Sequence, residues 1–380
     1  MSNNWPGGLI RKTPVTPAGP YQDGAAPGVW TLEEATYWTK QGKWPIAGNT
    51  KPQYLAVAND TSPYVTAYPW SSSGFGTKYA NPATLPTSAA YDVAFASSGD
   101  AIALALNEAP YVIAYPWSSS GFGAKYANPS TLPAGTCFSV AFSPASNAIA
   151  VAHVASPYVT AYSWSSSGFG TKYADPSTLP ELEGDAVAFS PAGDAVAVAH
   201  FGYPYITVYP WSGSGFGTRY NWPVTLPTDY ASGVAFSPAG DAIAVAHAAS
   251  PYITAYPWSS SGFGTKYANP ATRPTGTGRG VAFSPSSNAI AVAHAADPGI
   301  TAYPWSVSGF GTKYANPATL PFAATSVAFS PSGNAIAVGH GGGAYVNAYS
   351  WSSSGFGAKF ADPSTPPTSS SRSVAFGQAA

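Results

Sequence analysis

Tyr68–Gly76 reads YPWSSSGFG, and near-copies of it return to the end of the chain. Its tryptophan recurs as Trp70, Trp117, Trp164, Trp211, Trp258, Trp305 and Trp351, at steps of 47, 47, 47, 47, 47 and 46 residues. A fixed period of this size marks an array of one supersecondary unit whose copies bury their faces against each other. The unit starting at Val234 shows what is repeated. In VAFSPAGDAIAVAH two short apolar runs flank Ser-Pro-Ala-Gly-Asp, a β-hairpin with Pro placed for the turn and Gly240 free to take positive φ. A second turn at Ala248–Pro251 leads to YITAYPW (Tyr252–Trp258), rich in β-branched and aromatic residues. SSSGFG follows, then a last strand expected around Thr265–Ala268. Each unit thus supplies four antiparallel strands, called a to d in chain order.

Strand b alternates Ile243 and Val245 with Ala242, Ala244 and Ala246, so one face is bulky, one is small and neither is polar. Both faces must be buried, which is the position of a blade between two neighbours in a β-propeller. The fold expected is all-β, a seven-bladed β-propeller of four-stranded antiparallel blades. Its closure is also readable. Gln53–Asn59 (QYLAVAN) matches strand b with no strand a before it, and Ser373–Phe376 (SVAF) is a strand a with almost nothing after it. The C-terminal strand is therefore expected to join the N-terminal blade. SVAFSPSGNAIAV resembles the first hairpin of the WD-repeat family, although the Gly-His and Trp-Asp dipeptides are absent. The whole array is similar to WD-like propellers of phage and prophage proteins.

Residues 1–51 lie outside the repeat, leaving 52–380 as the propeller domain. Five prolines between Pro6 and Pro27 point to extended chain. Thr31-Leu-Glu-Glu34 then forms a capping box, and Gly42 a left-handed stop, for one helix over about 32–41. GVWTLEEATYWTKQGKWP (Gly28–Pro45) resembles a short module near the N-termini of tailed-bacteriophage virion and appendage proteins, carried by Trp30, Leu32, Glu33, Gly42, Trp44 and Pro45. The resemblance implies an attachment or assembly segment, with Trp30, Leu32, Trp38 and Trp44 as its docking residues and other virion proteins as partners. The bland alternative is a capped surface helix whose tryptophans pack on the propeller wall.

Composition narrows the function. Charged residues make up 8% and the formal net charge is −1, which gives no basic footprint for nucleic acid. No stretch approaches a membrane span and the start lacks a signal-peptide pattern, so a soluble protein without membrane insertion is expected. Cys137 is the only cysteine, which rules out an intrachain disulfide and suggests a semi-buried small side chain without a redox role. His153, His200, His247, His294 and His340 share one position at the end of strand b, too far apart around a ring to share a metal, and a structural role is expected. No metal and no cofactor is expected. Lys78, Lys125, Lys172, Arg219, Lys266, Lys313 and Lys359 form a ring on strand d, either as protection against edge pairing or as a belt for an anionic surface.

The copies disagree mainly in their b–c and d–a loops, which antiparallel strands place on one face. The most unusual patch there contains Glu181, Glu183, Asp185, Phe201, Tyr203, Asp229 and Tyr230. Carboxylates beside exposed aromatic rings bind sugars or basic protein surface; ordinary solvated loops are the plain alternative. The sameness of the repeats, with Asp100, Asp194 and Asp241 explained by hairpin turns, argues against an enzyme. Two non-catalytic readings stand beside each other. One is a virion component, such as a tail appendage, fibre or capsid-decorating protein, that displays the propeller for a host-surface glycan or protein. The other is an adhesin or lectin with repeated shallow sites at the WSSSGFG loops, or a cellular WD-like scaffold. Oligomeric state is open.

Overall fold

A computed structural model describes residues 51–379 and shows seven four-stranded antiparallel sheets. The helix expected over 32–41 and the residues Trp30, Leu32, Trp38 and Trp44 lie outside the described residues. The inner strands, Ala90–Phe95, Cys137–Phe142, Gly184–Phe189, Ala231–Phe236, Gly278–Phe283, Ala324–Phe329 and Ser371–Gln378, are neighbours in an unbroken circle. This is the seven-bladed propeller, with strand a of every blade at the axis. Ser371–Gln378 pairs with Gln53–Asn59, with Phe376 opposite Leu55 and Val374 opposite Val57. The blade of the two chain segments is completed by Val65–Ser71 and Gly74–Phe75.

Strand b is buried on both faces in each blade, as its two apolar faces require. The small face of one blade receives the bulky face of the next: Ala195, Ala197 and Ala199 pack with Phe236, Ile243, Val245, Tyr256 and Trp258. The tryptophan sits where three rings meet. Trp258 has Phe263 of its own strand d at 5.2 Å, Phe236 of its own strand a at 5.3 Å, and Tyr220 from the preceding blade at 5.1 Å, all edge-to-face. Edge-to-face pairs contribute about 0.5–1.5 kcal/mol each beyond area burial. The strand c tyrosine adds a polar tie, since the Tyr256 hydroxyl donates to the Thr225 carbonyl of the preceding connection at 2.7 Å, and the same bond recurs in all seven blades.

The a–b turn follows its sequence. Ser237 Oγ accepts from the amides of Asp241 and Ala242 and donates to the Asp241 carboxylate, while Gly240 takes a φ of 75°. The place of the family's Trp-Asp dipeptide is taken by Tyr256-Pro257 on strand c. Strand d differs from expectation. It is only Gly262–Phe263, not Thr265–Ala268, and pairs through two residues. Proline is the reason. Strand c carries Pro69, Pro116, Pro210, Pro257 and Pro304 next to the tryptophan, and proline has no N–H to offer an outer strand. Where serine replaces it, at Ser163 and Ser350, strand d runs through five residues, Gly168–Lys172 and Gly355–Lys359.

Trp258→Ala removes the ring on which two blades converge and should lower unfolding free energy by roughly 3–5 kcal/mol. Equilibrium denaturation followed by circular dichroism measures this; a loss under about 1 kcal/mol would show that the indole is replaceable.

Candidate functional site

The b–c and d–a loops lie side by side, because in five blades the residue after strand b donates its amide to a backbone carbonyl of the loop before strand a. Asn107 bonds Ala89, Val154 bonds Thr136, Phe201 bonds Glu183 and Ala248 bonds Tyr230 through backbone at 2.9–3.0 Å. These loops form one face around the axis. The structure gathers several residues of the expected patch there. The rings of Phe201 and Tyr230 stack at 4.7 Å and 23°. Glu181 and Glu183 take the amides of Gly202 and Phe201 on their carbonyls, which holds the acidic loop against the aromatic one. Asp229 caps the Tyr230 amide at 2.8 Å, and Tyr203 turns its ring toward Tyr205 and Trp222. Asp185 stands apart from these loops, as the second residue of an inner strand.

That second position is occupied, going round the axis, by Arg372, Tyr91, Phe138, Asp185, Ser232, Arg279 and Thr325. Side chains of successive blades touch there: Arg372 lies 5.1 Å from the Tyr91 ring centroid, and Tyr91 meets Phe138 edge-on at 5.4 Å. Arg372 is also paired with Asp60 at 2.6 Å, whereas Arg279 is exposed and has no partner among the described residues. The Asp185 carboxyl is pushed up to about 7, by burial first and by the neighbouring Glu183 charge second. The third position couples the blades. Asp92 accepts from Ser139 Oγ and the Val140 amide of the next inner strand, both at 2.9 Å, and burial still raises its carboxyl. Sequence comparison of the repeats missed this axial set, because these residues look like ordinary loop variation until strand a is placed at the axis.

Two further sets are structural in their contacts. Four histidines donate or accept at Nε2 with a strand c threonine: His153 with Thr160, His200 with Thr207, His247 with Thr254 and His294 with Thr301, each at 2.9 Å. In the blade where leucine replaces histidine, at Leu106, isoleucine replaces threonine, at Ile113, and both enter the apolar core. The strand d cations are tied down, Lys78 to Asn81, Lys125 to Asn128, Lys172 to Asp175, Lys266 to Asn269, Lys313 to Asn316 and Lys359 to Asp362. Only Arg219 departs, sitting over the Trp222 ring at 4.0 Å. Cys137 is buried with its thiol pushed well up, which removes it from thiolate chemistry. The WSSSGFG loops expose serines and bury the indoles, so repeated sugar sites that stack on these tryptophans are not available.

Neither known protein families nor curated proteins give a match to the sequence. Solved structures do. A Bacteroides uniformis protein named as a candidate 6-phosphogluconolactonase is similar with a TM-score of 0.70 at 12% identity, over 86% of this chain and 99% of its own. A periplasmic gluconolactonase of Pseudomonas aeruginosa gives 0.64 at 13% identity, over 86% and 99%. A functionally unknown protein of Desulfotomaculum acetoxidans gives 0.66 at 11%, over 86% and 99%. At these identities the likeness is one of fold. It nevertheless overturns the expectation that the chain is not an enzyme, since propellers of this architecture bear enzyme names. The physical premise of that expectation also fails, because the repeats are not alike at the axis, where seven blades contribute acid, cation, hydroxyl and aromatic groups.

Burial holds the rings of His153, His200, His247 and His294 at about 4 instead of 6.5. Between those values the folded chain binds fewer protons than the unfolded chain, so this contribution to stability is complete above about pH 6.5 and is lost as pH falls toward 4. Asp185 and Asp92, with raised carboxyls, act oppositely but are outnumbered by the histidines. Tm should therefore fall between about pH 7 and pH 5. His200→Leu with Thr207→Ile, the pair used by the Leu106 blade, should make the fall shallower; an unchanged slope would remove the histidines from the account.

Proposed function

We propose that the chain is a virion component of a tailed bacteriophage that holds on through residues 1–51 and presents the loop face of its propeller to a host surface. The observation that carries the binding half of this reading is the distribution of difference. Packing residues return blade after blade, while the loops and the axial positions of one face do not. Recognition needs such a face on a rigid scaffold. The attachment half rests on the resemblance of Gly28–Pro45 to phage virion modules. The expected partners are other virion proteins at residues 1–51 and a host-surface glycan or protein at the loop face.

A second reading is favoured by one feature, Asp185 at the axis with its carboxyl near 7, on the same circle as Arg279 and Arg372. A carboxylate with that affinity for protons suits general-base work at neutral pH. The structural neighbours named as gluconolactonases make a sugar lactone the first substrate class to try. Water would add to the lactone carbonyl as its proton passes to Asp185, and the ring C–O bond would break as that proton passes on to the leaving ring oxygen, giving the open hydroxy acid.

For the first reading, full-length protein should bind intact host cells and sediment with phage particles, and Trp30→Ala with Trp44→Ala should abolish sedimentation with particles while cell binding stays. A chain absent from particles, or a double variant that sediments as before, would overturn the attachment. For the second, lactone hydrolysis above the spontaneous rate should rise with pH through about 7, as Asp185 ionises, and fall at least about 100-fold in Asp185→Asn. A rate equal to that of buffer would end this reading.

A further inference from the structure

The fourth blade breaks the pattern of its siblings in a concerted way. In six blades a lysine at or just past the end of strand d is bonded to an Asn or Asp three residues later. Here both partners have changed, to Arg219 and Trp222, and the bond has become a cation over a ring at 4.0 Å. Tyr203 stands where other blades have Ser62, Ala109, Ser156, Ser250, Asp297 and Gly343, and its ring meets Trp222 edge-on at 6.4 Å. Phe201 stands where they have Asp60, Asn107, Val154, Ala248, Ala295 and Gly341, and it stacks on Tyr230. None of these rings is needed by the fold, since six blades are built without them. All three new rings keep a large solvent face: Phe201 is 44% exposed, Tyr203 64% and Trp222 39%.

The rings are bordered by carboxylates. Backbone bonds from Gly202 and Phe201 to Glu181 and Glu183 fix the acidic loop beside them, and Asp229 precedes Tyr230. We propose that this aromatic shelf on the fourth blade, Phe201, Tyr203 and Trp222 with Glu181 and Glu183 at its edge, binds a neutral glycan. The inference rests on the host-surface reading and names its ligand. Sugar C–H faces lie on aromatic rings and hydroxyls donate to carboxylates. The acidic border repels uronate or phosphate-bearing polymers. A basic peptide fits less well, because the cation position over Trp222 is already filled by Arg219.

The test uses full-length protein on immobilised mannan, galactan and dextran, with polygalacturonate and polylysine alongside. The expected result is saturable binding to at least one neutral polymer, displaced by its free sugar and retained in about 1 M salt, where charges are screened beyond about 3 Å. The variant Phe201→Ala, Tyr203→Ser, Arg219→Lys and Trp222→Asn gives this blade residues its siblings carry, so it should keep its Tm and lose binding at least about tenfold. No binding to a neutral polymer, an unaffected variant, or binding to polylysine alone that salt removes would overturn the proposal. Cell binding measured on the same variant separates the two inferences: if it persists there, the shelf is wrong and host-surface binding stands, and if the unaltered protein binds no cells, the host-surface reading fails first.

Discussion

The contact on which this ring depends is the meeting of a tryptophan with rings from two blades. Hydrogen bonds complete each sheet internally, so what joins sheet to sheet is side-chain packing and a few polar ties. Trp70 shows the principle where the circle closes. It lies 5.1 Å from Phe75 of its own blade, 5.1 Å from Phe360 of the preceding one and 5.2 Å from Phe376 of the C-terminal strand. The closing blade therefore gains the same aromatic contacts as the others, although its strands come from both ends of the ring. Alanines on the opposite face are the complement: a small side chain is what lets a neighbour's rings approach.

Much of this was legible in the order of residues. A period near 47, apolar strands with a bulky and a small face, and an unmatched strand at each end of the array specify the number of blades and how they close. The length of strand d was not legible at first sight, yet its cause was, since Pro257 denies the outer strand an N–H that Ser163 supplies. The candidate site was legible in pieces. Phe201 and Tyr230 belong to different blades and their stacking follows from adjacent loops; Asp185 was grouped with them by sequence, but the bulged start of strand a turns it toward a different neighbourhood. Trp222 was not legible, since it lies three residues past Arg219 where the other blades carry Asn or Asp, and only the folded chain brings the cation over its ring.

The two faces of the molecule obey different constraints. At the a–b and c–d turns the same serine, glycine and tryptophan perform the same hydrogen bonding in blade after blade, and a change there costs packing. At the opposite face most blades share one backbone bond between loops, while the side-chain bonds, from Ser88, Thr136 or Thr228, differ freely from blade to blade. That freedom allows Arg372 to reach both Asp60 and Tyr91, Asp185 to stand beside Glu183, and one blade to collect aromatic rings. Binding and acid–base readings draw on the same freedom at two radii of one surface, the loops farther out and the inner strands at the axis.

The closing sheet has a kinetic consequence. Gln53–Asn59 is made among the first strands of the ring, but its inner partner Ser371–Gln378 is made last. Until then a polymerising ribosome carries a chain with one unpaired strand edge while later blades stack behind it. Two nascent rings on one messenger could each donate the terminal strand to the other, giving an exchanged dimer with every contact of the monomer intact. The tie of Arg372 to Asp60, flanking that strand, forms in either arrangement, so self-closure is favoured by the high effective concentration of the strand near its own ring.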